Sequence, residues 1–403
     1  MIRVEEAEKI IGSQVKDFGI ESVPFETSQG RVLAEDLIAD RDLPPFNRAT
    51  LDGIAINYES FEKGIRSFHV MATQAAGDIP HDINNPGECI EIMTGAALPA
   101  TTDTVIGYED LHIQNGIAAI RTETINKGKG IHAKGKDRKK NEIVATASQL
   151  ITPVLINMAA SLGKTNLLVK KLPEVVVISS GDELVEVDET PSPYQVRRSN
   201  SYMVKSALMQ YNLCADMLHI PDDLEITKQK IRDCLQSHDV IILSGGISMG
   251  KFDYVPQALQ ELSVNKLFHK VQQRPGKPFW FGTHANGVLV FALPGNPVST
   301  FMCLHRYVLP WLKASIGLPP GESGYATLDR DVSFTPSLQY FLQVKLHINK
   351  KGNLMATPVD GNGSGDFANL LDTDAFMELP LEQNNFAQGE VFRIWPFKEI
   401  FLL

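Results

Sequence analysis

The chain has 403 residues, of which 43% are hydrophobic and 21% charged, and a formal net charge of −10. That length points to several domains of ordinary globular composition, and the negative charge disfavours broad nucleic-acid binding. No apolar run reaches bilayer-spanning length, and Cys89, Cys214, Cys234 and Cys303 form no C-x-x-C pair, so neither a zinc site nor a disulfide framework is expected.

The opening MIRVEEAEKI is acidic and amphipathic and lacks a secretory core, so a cytoplasmic protein is expected. Val4, Ala7, Ile10 and Ile11 place an apolar stripe on a first helix, Val4 to about Val15. Glu21–Pro24 and Arg31–Leu37 read as extended. In DRDLPPFNRATLDGIAI, Pro44-Pro45 stiffens the chain and Asp52-Gly53 turns into a short strand, Ile54–Ile56. The stretch is either a linker or a rigid loop that presents Asp52 to a ligand. Phe68–Thr73, Glu88–Met93, Thr104–Tyr108 and Ile117–Arg121 read as strands of a small β unit. Thr94 follows one of them and reads as a cap or a ligand donor. Lys127–Lys140 holds seven Lys or Arg and one acid, Asp137. It reads as a solvated loop or as a lure for an anionic substrate, and so much positive charge favours the Asp137 carboxylate. Thr152–Leu162 is a helix with Pro153 in its first turn.

From Glu174 to Leu312 strands alternate with helices, the signature of βαβ units and a mainly parallel sheet. Val175–Ile178, Ala215–Ile220, Val240–Leu243, Phe268–Gln272 and Gly287–Leu293 are the strands. The helices start near Asn200, at Leu224 and at Val298, the last running to Leu312. Val240–Leu243 has the apolar, β-branched pattern of a strand buried on both faces. It ends in Ser244-Gly245-Gly246, and Ser248 and Gly250 extend the loop. Missing side chains there let backbone N–H groups approach a ligand, although a plain turn fits too. Ser315–Gly324 is a Pro/Gly-rich boundary. Tyr340–Ile348, Asn353–Val359, Ala375–Leu381 and Glu390–Phe397 then suggest a small C-terminal β-barrel or sandwich.

Ligands of open α/β sheets sit beyond the carboxyl ends of the strands. This sheet puts four acids there, Asp182, Glu183, Asp222 and Asp253, with glycine loops at Gly181, Gly245-Gly246 and Gly276 to Gly295-Asn296, and the cations Arg274 and Lys277. Carboxylates suit a hard cation such as Mg²⁺, and backbone amides with cations suit a tetrahedral oxyanion, so metal-assisted chemistry at a phosphate bond is one reading. Each acid alone reads better as a helix N-cap, and the convergence of several loops favours a site. Pro294 and Pro297 stiffen the Gly295-Asn296 loop, which suits an anion site or a tight turn.

An ordered set of segments resembles the molybdopterin molybdenumtransferase (MoeA) family, the bacterial counterpart of the gephyrin C-terminal region. It comprises PPFNRATLDGIAI at 44–56, MTGA at 93–96, GKD at 135–137, SSGDEL at 179–184, SN at 199–200 and PDD at 221–223. It continues with SGGISMGKFDY at 244–254, RPGKPFWFG at 274–282, LPGNPVS at 293–299 and GSG at 363–365. The resemblance spans the chain essentially end to end. It implies a multidomain α/β protein: a three-layer α/β/α domain (1–22 with 173–318), an elongated linker and dimerisation domain (23–44 with 138–172), a small β domain (45–137) and a C-terminal β-barrel (319–403). It implies insertion of molybdenum from molybdate into adenylylated molybdopterin, with Mg²⁺ present and AMP released. It also implies a cytoplasmic homodimer with its cleft between subunits, contact with the molybdopterin adenylyltransferase, and no nucleic-acid or membrane partner. Asp52, Thr94, Asp137, Glu183, Asp222 and Asp253 fall on the functional polar positions, with Glu183, Asp222 and Asp253 as metal ligands. Ser244, Gly245, Gly246, Ser248, Arg274, Lys277, Pro294, Gly295, Asn296, Pro297 and Ser364 fall on substrate-binding positions. The chain departs from the family pattern at Asn47–Leu51, Ile54, Arg198, Arg274 and Asp374. A gephyrin-like scaffold without turnover is the alternative. A nucleotide pyrophosphatase or amidase on the same sheet ranks last, because it would lack the PPF…DG and MTGA segments.

Overall fold

The computed structural model describes residues 1–247, 253–318 and 324–398; Ser248 and Gly250 lie outside them. The chain forms two compact units. One comprises Met1–Ala34, Ser148–Thr152 and Asn166–Leu403, the other Glu35–Ala147 and Pro153–Thr165.

The centre of the first unit is a six-stranded sheet in the spatial order Asp216–Ile220, Val175–Ser180, Val240–Ser244, Leu289–Leu293, Trp280–Thr283, Asn265–His269. The first four strands are parallel, and Trp280–Thr283 runs antiparallel to both of its neighbours, so Asn265–His269 shares the direction of the first four. Val175 and Val177 point to one face, where Val4, Ala7 and Ile11 of the helix Val4–Gly12 and Val204 and Leu208 of Asn200–Met209 cover them. Val176 and Ile178 point to the other, against Ile231 and Leu235 of Leu224–Ser237 and Val255 and Leu259 of Val255–Glu261. Period-two alternation between two helical layers makes the three-layer α/β/α sandwich. The strand Trp280–Thr283 escapes a sequence reading because PGKP punctuation precedes it and it is only four residues long.

The helix expected over Val298–Leu312 is interrupted. Pro297–Cys303 passes into a π-helical stretch, Leu304–Val308, before Leu309–Ser315 resumes. Pro310 has no N–H to offer the Arg306 carbonyl, which accounts for the irregular turn. Ile20–Pro24 pairs antiparallel with Asn166–Lys170, a strand that carries no sequence signal strong enough to be read.

Five strands close the C-terminal barrel. Gln339–Ile348 pairs with Leu354–Pro358, which pairs with Gly324–Leu328, then Val391–Pro396, then Ala375–Leu379, which returns to Gln339–Ile348. Closure leaves no sheet edge, and Leu342, Val344, Met377 and Ile394 fill the interior. The sequence left barrel and sandwich open because it showed only four of these strands.

In the second unit a six-stranded sheet runs Thr104–Gly107, Gly53–Ile56, Glu88–Ile92, Ser67–Gln74, Ile117–Ile120, Leu111–Gln114. Ile54, Ile56, Phe68, Cys89 and Ile106 form its core.

Candidate functional site

In the first unit, neighbouring parallel strands end at one edge and release the loops the sequence pointed to. Val175–Ser180 leads to Gly181–Glu183, Val240–Ser244 to Gly245-Gly246, and Leu289–Leu293 to Pro294–Pro297. Gly245 and Gly246 have φ of 98° and 66°, and a Cβ on Gly245 would lie 2.8 Å from the Ser180 carbonyl oxygen. Only glycine lets these strand ends approach so closely.

A cavity of about 540 Å³ opens at this edge. Glu183, Gly245, Gly246, Gly295 and Asn296 line it beside Arg274 and Lys277, and the barrel adds Tyr340 and Ser364. Asn296 Nδ2 donates to Ser364 Oγ at 2.8 Å, which ties the proline-flanked loop to the barrel segment. Among the described residues neither Arg274 nor Lys277 has a carboxylate partner; Arg274 lies 5.9 Å from the Phe334 ring. Two exposed cations beside the glycine loops make an anion-receptive wall, although Gly245 N already donates to the Leu293 carbonyl at 3.3 Å.

A second cavity of about 570 Å³ shares Ser180, Glu183, Gly245 and Gly295 with the first and continues to Arg197, Arg198 and Asn200. Glu183 borders both cavities. Asn200 is a site residue that sequence reasoning underrated. Its Nδ2 donates to Ser244 Oγ at 2.9 Å and to the Gly295 carbonyl at 2.7 Å, so one side chain pins two glycine loops. In sequence it reads as a helix start and as part of the SN segment at 199–200, but not as a site residue. Arg198, a departure from the family pattern, is neutralised by Glu186 at 2.8 Å, and Asp374, another, accepts from Leu346 N inside the barrel.

The structure divides the acids: Glu183 lines the cavities, while Asp182 and Asp253 act on Asp222. Asp182 and Asp222 bridge each other through backbone: Asp222 N donates to Asp182 Oδ1 at 3.0 Å, and Asp182 N lies 3.5 Å from Asp222 Oδ2. Burial pushes the Asp222 carboxyl above its usual range, and the charges of Asp182 and Asp253 add to this. Neither Asp222 nor Asp253 belongs to the described lining of either cavity, whereas Glu183 does. Among the described residues no group of three or more His, Cys, Asp or Glu side chains is arranged to hold a metal ion.

In the second unit, Asp52 and Thr94 meet. Gly53–Ile56 lies between Glu88–Ile92 and Thr104–Gly107, so the residue before one strand comes beside the turn that follows its neighbour. Asp52 Oδ1 accepts from Thr94 N at 2.6 Å, and this bond and one to the Thr94 side chain hold the carboxyl below its ordinary value. Tyr108 stands close by, with its hydroxyl on Glu91 at 2.8 Å. Burial, Glu91 and then Asp52 push that phenol up to about 12. Asp137 is held instead by His132, whose Nε2 lies 2.8 Å from Oδ1, while Arg48 donates to the Nδ1 of the same ring at 3.2 Å.

Three family models cover the chain in order: the MoeA N-terminal region (domain I and II) over residues 2–163, a "probable molybdopterin binding domain" over 176–314, and the MoeA C-terminal region (domain IV) over 325–397. A molybdopterin molybdenumtransferase from Synechocystis is 38% identical over 395 residues, covering 97% of this chain and 99% of the relative. This chain belongs to the MoeA family. The MoeA relative of the same name from Bacillus subtilis is 29% identical and covers 99% of this chain and 94% of its own. Among solved structures, a molybdopterin biosynthesis MoeA protein from Pyrococcus horikoshii superposes with a TM-score of 0.83 at 30% identity, covering 99% of each chain. The full-length match to MoeA proteins does not favour the scaffold alternative.

Proposed function

We propose that this chain inserts molybdenum from molybdate into adenylylated molybdopterin, cleaving the adenylate and releasing AMP. Family membership supports a transferase in molybdenum cofactor synthesis. One observation carries the reading further: two cations without carboxylate partners among the described residues line the same cavity as the Gly245-Gly246 and Gly295-Asn296 loops and Glu183. Arg274 and Lys277 would hold a tetrahedral oxyanion, and the amides of Gly246 and Gly295 would donate to its remaining oxygens without reorganising. Ser244, Pro294, Pro297 and Ser364 keep those loops in place.

Mg²⁺ belongs to this proposal. It takes oxygen ligands, keeps several waters and needs only one or two carboxylates plus substrate phosphate, so the lack of a three-ligand cage does not count against it. One or two of Glu183, Asp222 and Asp253 would hold it, and the ion would neutralise charge on the adenylate phosphate. The mutual repulsion around Asp222 fits a place that gains from a cation. Asp52, held ionised by Thr94, and Asp137, oriented by His132, supply further carboxylates in the second unit. A cytoplasmic homodimer with the cleft between subunits, fed by the adenylyltransferase, and the discontinuous domains 1–22 with 173–318, 23–44 with 138–172, 45–137 and 319–403 complete the proposal.

The test is AMP release by purified protein given adenylylated molybdopterin. We expect release that requires molybdate and falls on chelation of Mg²⁺. Folded protein that releases no AMP overturns the reading. Asp52→Asn should abolish release while changing stability by less than about 1 kcal/mol, as expected for an exposed side chain.

A further inference from the structure

The Arg274–Pro278 loop is shaped from beneath by residues that no sequence motif singles out. Gln273 is fully buried and Tyr307 is 2% exposed. The Tyr307 hydroxyl donates to Gln273 Oε1, and Gln273 Nε2 donates to the Gly276 carbonyl at 3.1 Å. With one end of the amide committed to a donor and the other to an acceptor, its orientation is settled. Gly276 has a φ of 88°, and a Cβ there would lie 2.7 Å from Cys303 Sγ and 2.8 Å from Gln273 Nε2. The loop is therefore pressed against Gln273 with no slack. On its other side Gln273 pairs with Gln339 and Arg274 with Tyr340 of the barrel. Tyr307 itself is anchored by ring contact with Phe279, at 5.1 Å between centroids.

We propose that Gln273, clamped by Tyr307, is the positioning residue of the oxyanion compartment: it sets where Arg274 and Lys277 stand while touching no reacting atom. This rests on reading that compartment as the oxyanion site. Loss of the clamp frees the Gly276 peptide, and the two cations then lose the common geometry that lets them act on one tetrahedral ion. The cost falls on capture of the anion. Once the anion is bound, the reacting groups are unchanged.

The variants are Gln273→Leu, which keeps the volume and removes both hydrogen bonds, and Tyr307→Phe, which removes one oxygen and keeps the ring packing. Wild type and both variants are titrated calorimetrically with molybdate and, separately, with inorganic phosphate. KM for molybdate and kcat are then measured in the AMP-release assay, per folded protein. We expect affinity and KM to worsen by about tenfold in Gln273→Leu and by about threefold in Tyr307→Phe, with kcat at saturating molybdate within about twofold of wild type. A merely structural residue would lower the folded fraction and leave KM of what remains unmoved. Unchanged KM and affinity in both variants overturn the proposal, and if Gln273→Leu does not fold, an unchanged Tyr307→Phe overturns it alone. Preference for molybdate over phosphate, or the reverse, tells which oxyanion the compartment takes. Wild type that binds neither overturns the compartment reading, and this proposal with it.

Discussion

Asp222 and Asp223 are neighbours of identical chemistry with different fates. Asp223 is the N-cap of Leu224–Ser237, accepting from Ile226 N at 2.9 Å. Asp222 turns toward Asp182, and burial and like charges raise its pKa. The sequence offers both as caps or ligands, because which of two adjacent acids turns inward depends on a residue forty positions away. The raised pKa has a stability consequence. Between the ordinary carboxylate value and the raised one, the folded state holds a proton that the unfolded chain releases. This group's contribution is thus complete at acid pH and lost as pH rises. Without divalent cation, Asp222→Asn should therefore raise the thermal midpoint at pH 7, and the gain should vanish below about pH 4. Thermal melts across that range check this; a gain that grows toward acid pH contradicts it.

Asp52-Gly53 is legible as a turn signal, yet the strand pair explains why glycine is required. A Cβ on Gly53 would lie 1.8 Å from the Ile106 carbonyl oxygen and 2.9 Å from Gly107 Cα, and both are backbone atoms that cannot swing aside. Gly53 and Gly107 face each other across the antiparallel pair. Gly53→Ala should cost about 2–3 kcal/mol through overpacking. It should also abolish AMP release, because the same strand start carries Asp52. Urea denaturation beside the activity assay measures both; wild-type stability would show that the pair is not so close. The helix expected over Val298–Leu312 shows the opposite case. Its apolar periodicity is real, but Pro310 breaks the hydrogen-bond ladder, and the π-helical stretch that results includes Arg306 and Tyr307.

Across the first unit, Arg306 joins parts distant in sequence. Its side chain is 2% exposed, pairs with Glu8 of the first helix at 2.7 Å and with Glu378 of the barrel at 3.4 Å, and lies 4.3 Å from the Trp395 ring. Trp395 Nε1 donates to Glu378 at 2.7 Å and Gln339 Nε2 donates to it too, so the Glu378 carboxylate keeps hydrogen bonds on the barrel side. Arg306→Met should destabilise by about 3 kcal/mol or more, because removing one partner strands the charge of Glu378, whose side chain is only 10% exposed. Equilibrium unfolding measures the loss; a change under about 1 kcal/mol would mean that the cluster contributes little.

Sequence alone determined what is local or periodic. Alternating strands and helices implied the central sheet, unbroken β-branched runs marked strands covered on both faces, and glycines after Leu243 and Leu293 marked loops at their carboxyl ends. The ordered segments identified the family. Tertiary structure decided what depends on contacts between residues far apart in the chain. It closed the barrel through Gly324–Leu328, brought Thr94 to Asp52, left Glu183 on the cavity wall without Asp222 or Asp253, and placed Gln273 and Tyr307 beneath the basic loop. The physical reason is that a hydrogen bond between groups tens of residues apart leaves no periodicity in either segment. Only the packed core, by fixing which strand ends are neighbours, specifies which polar groups meet.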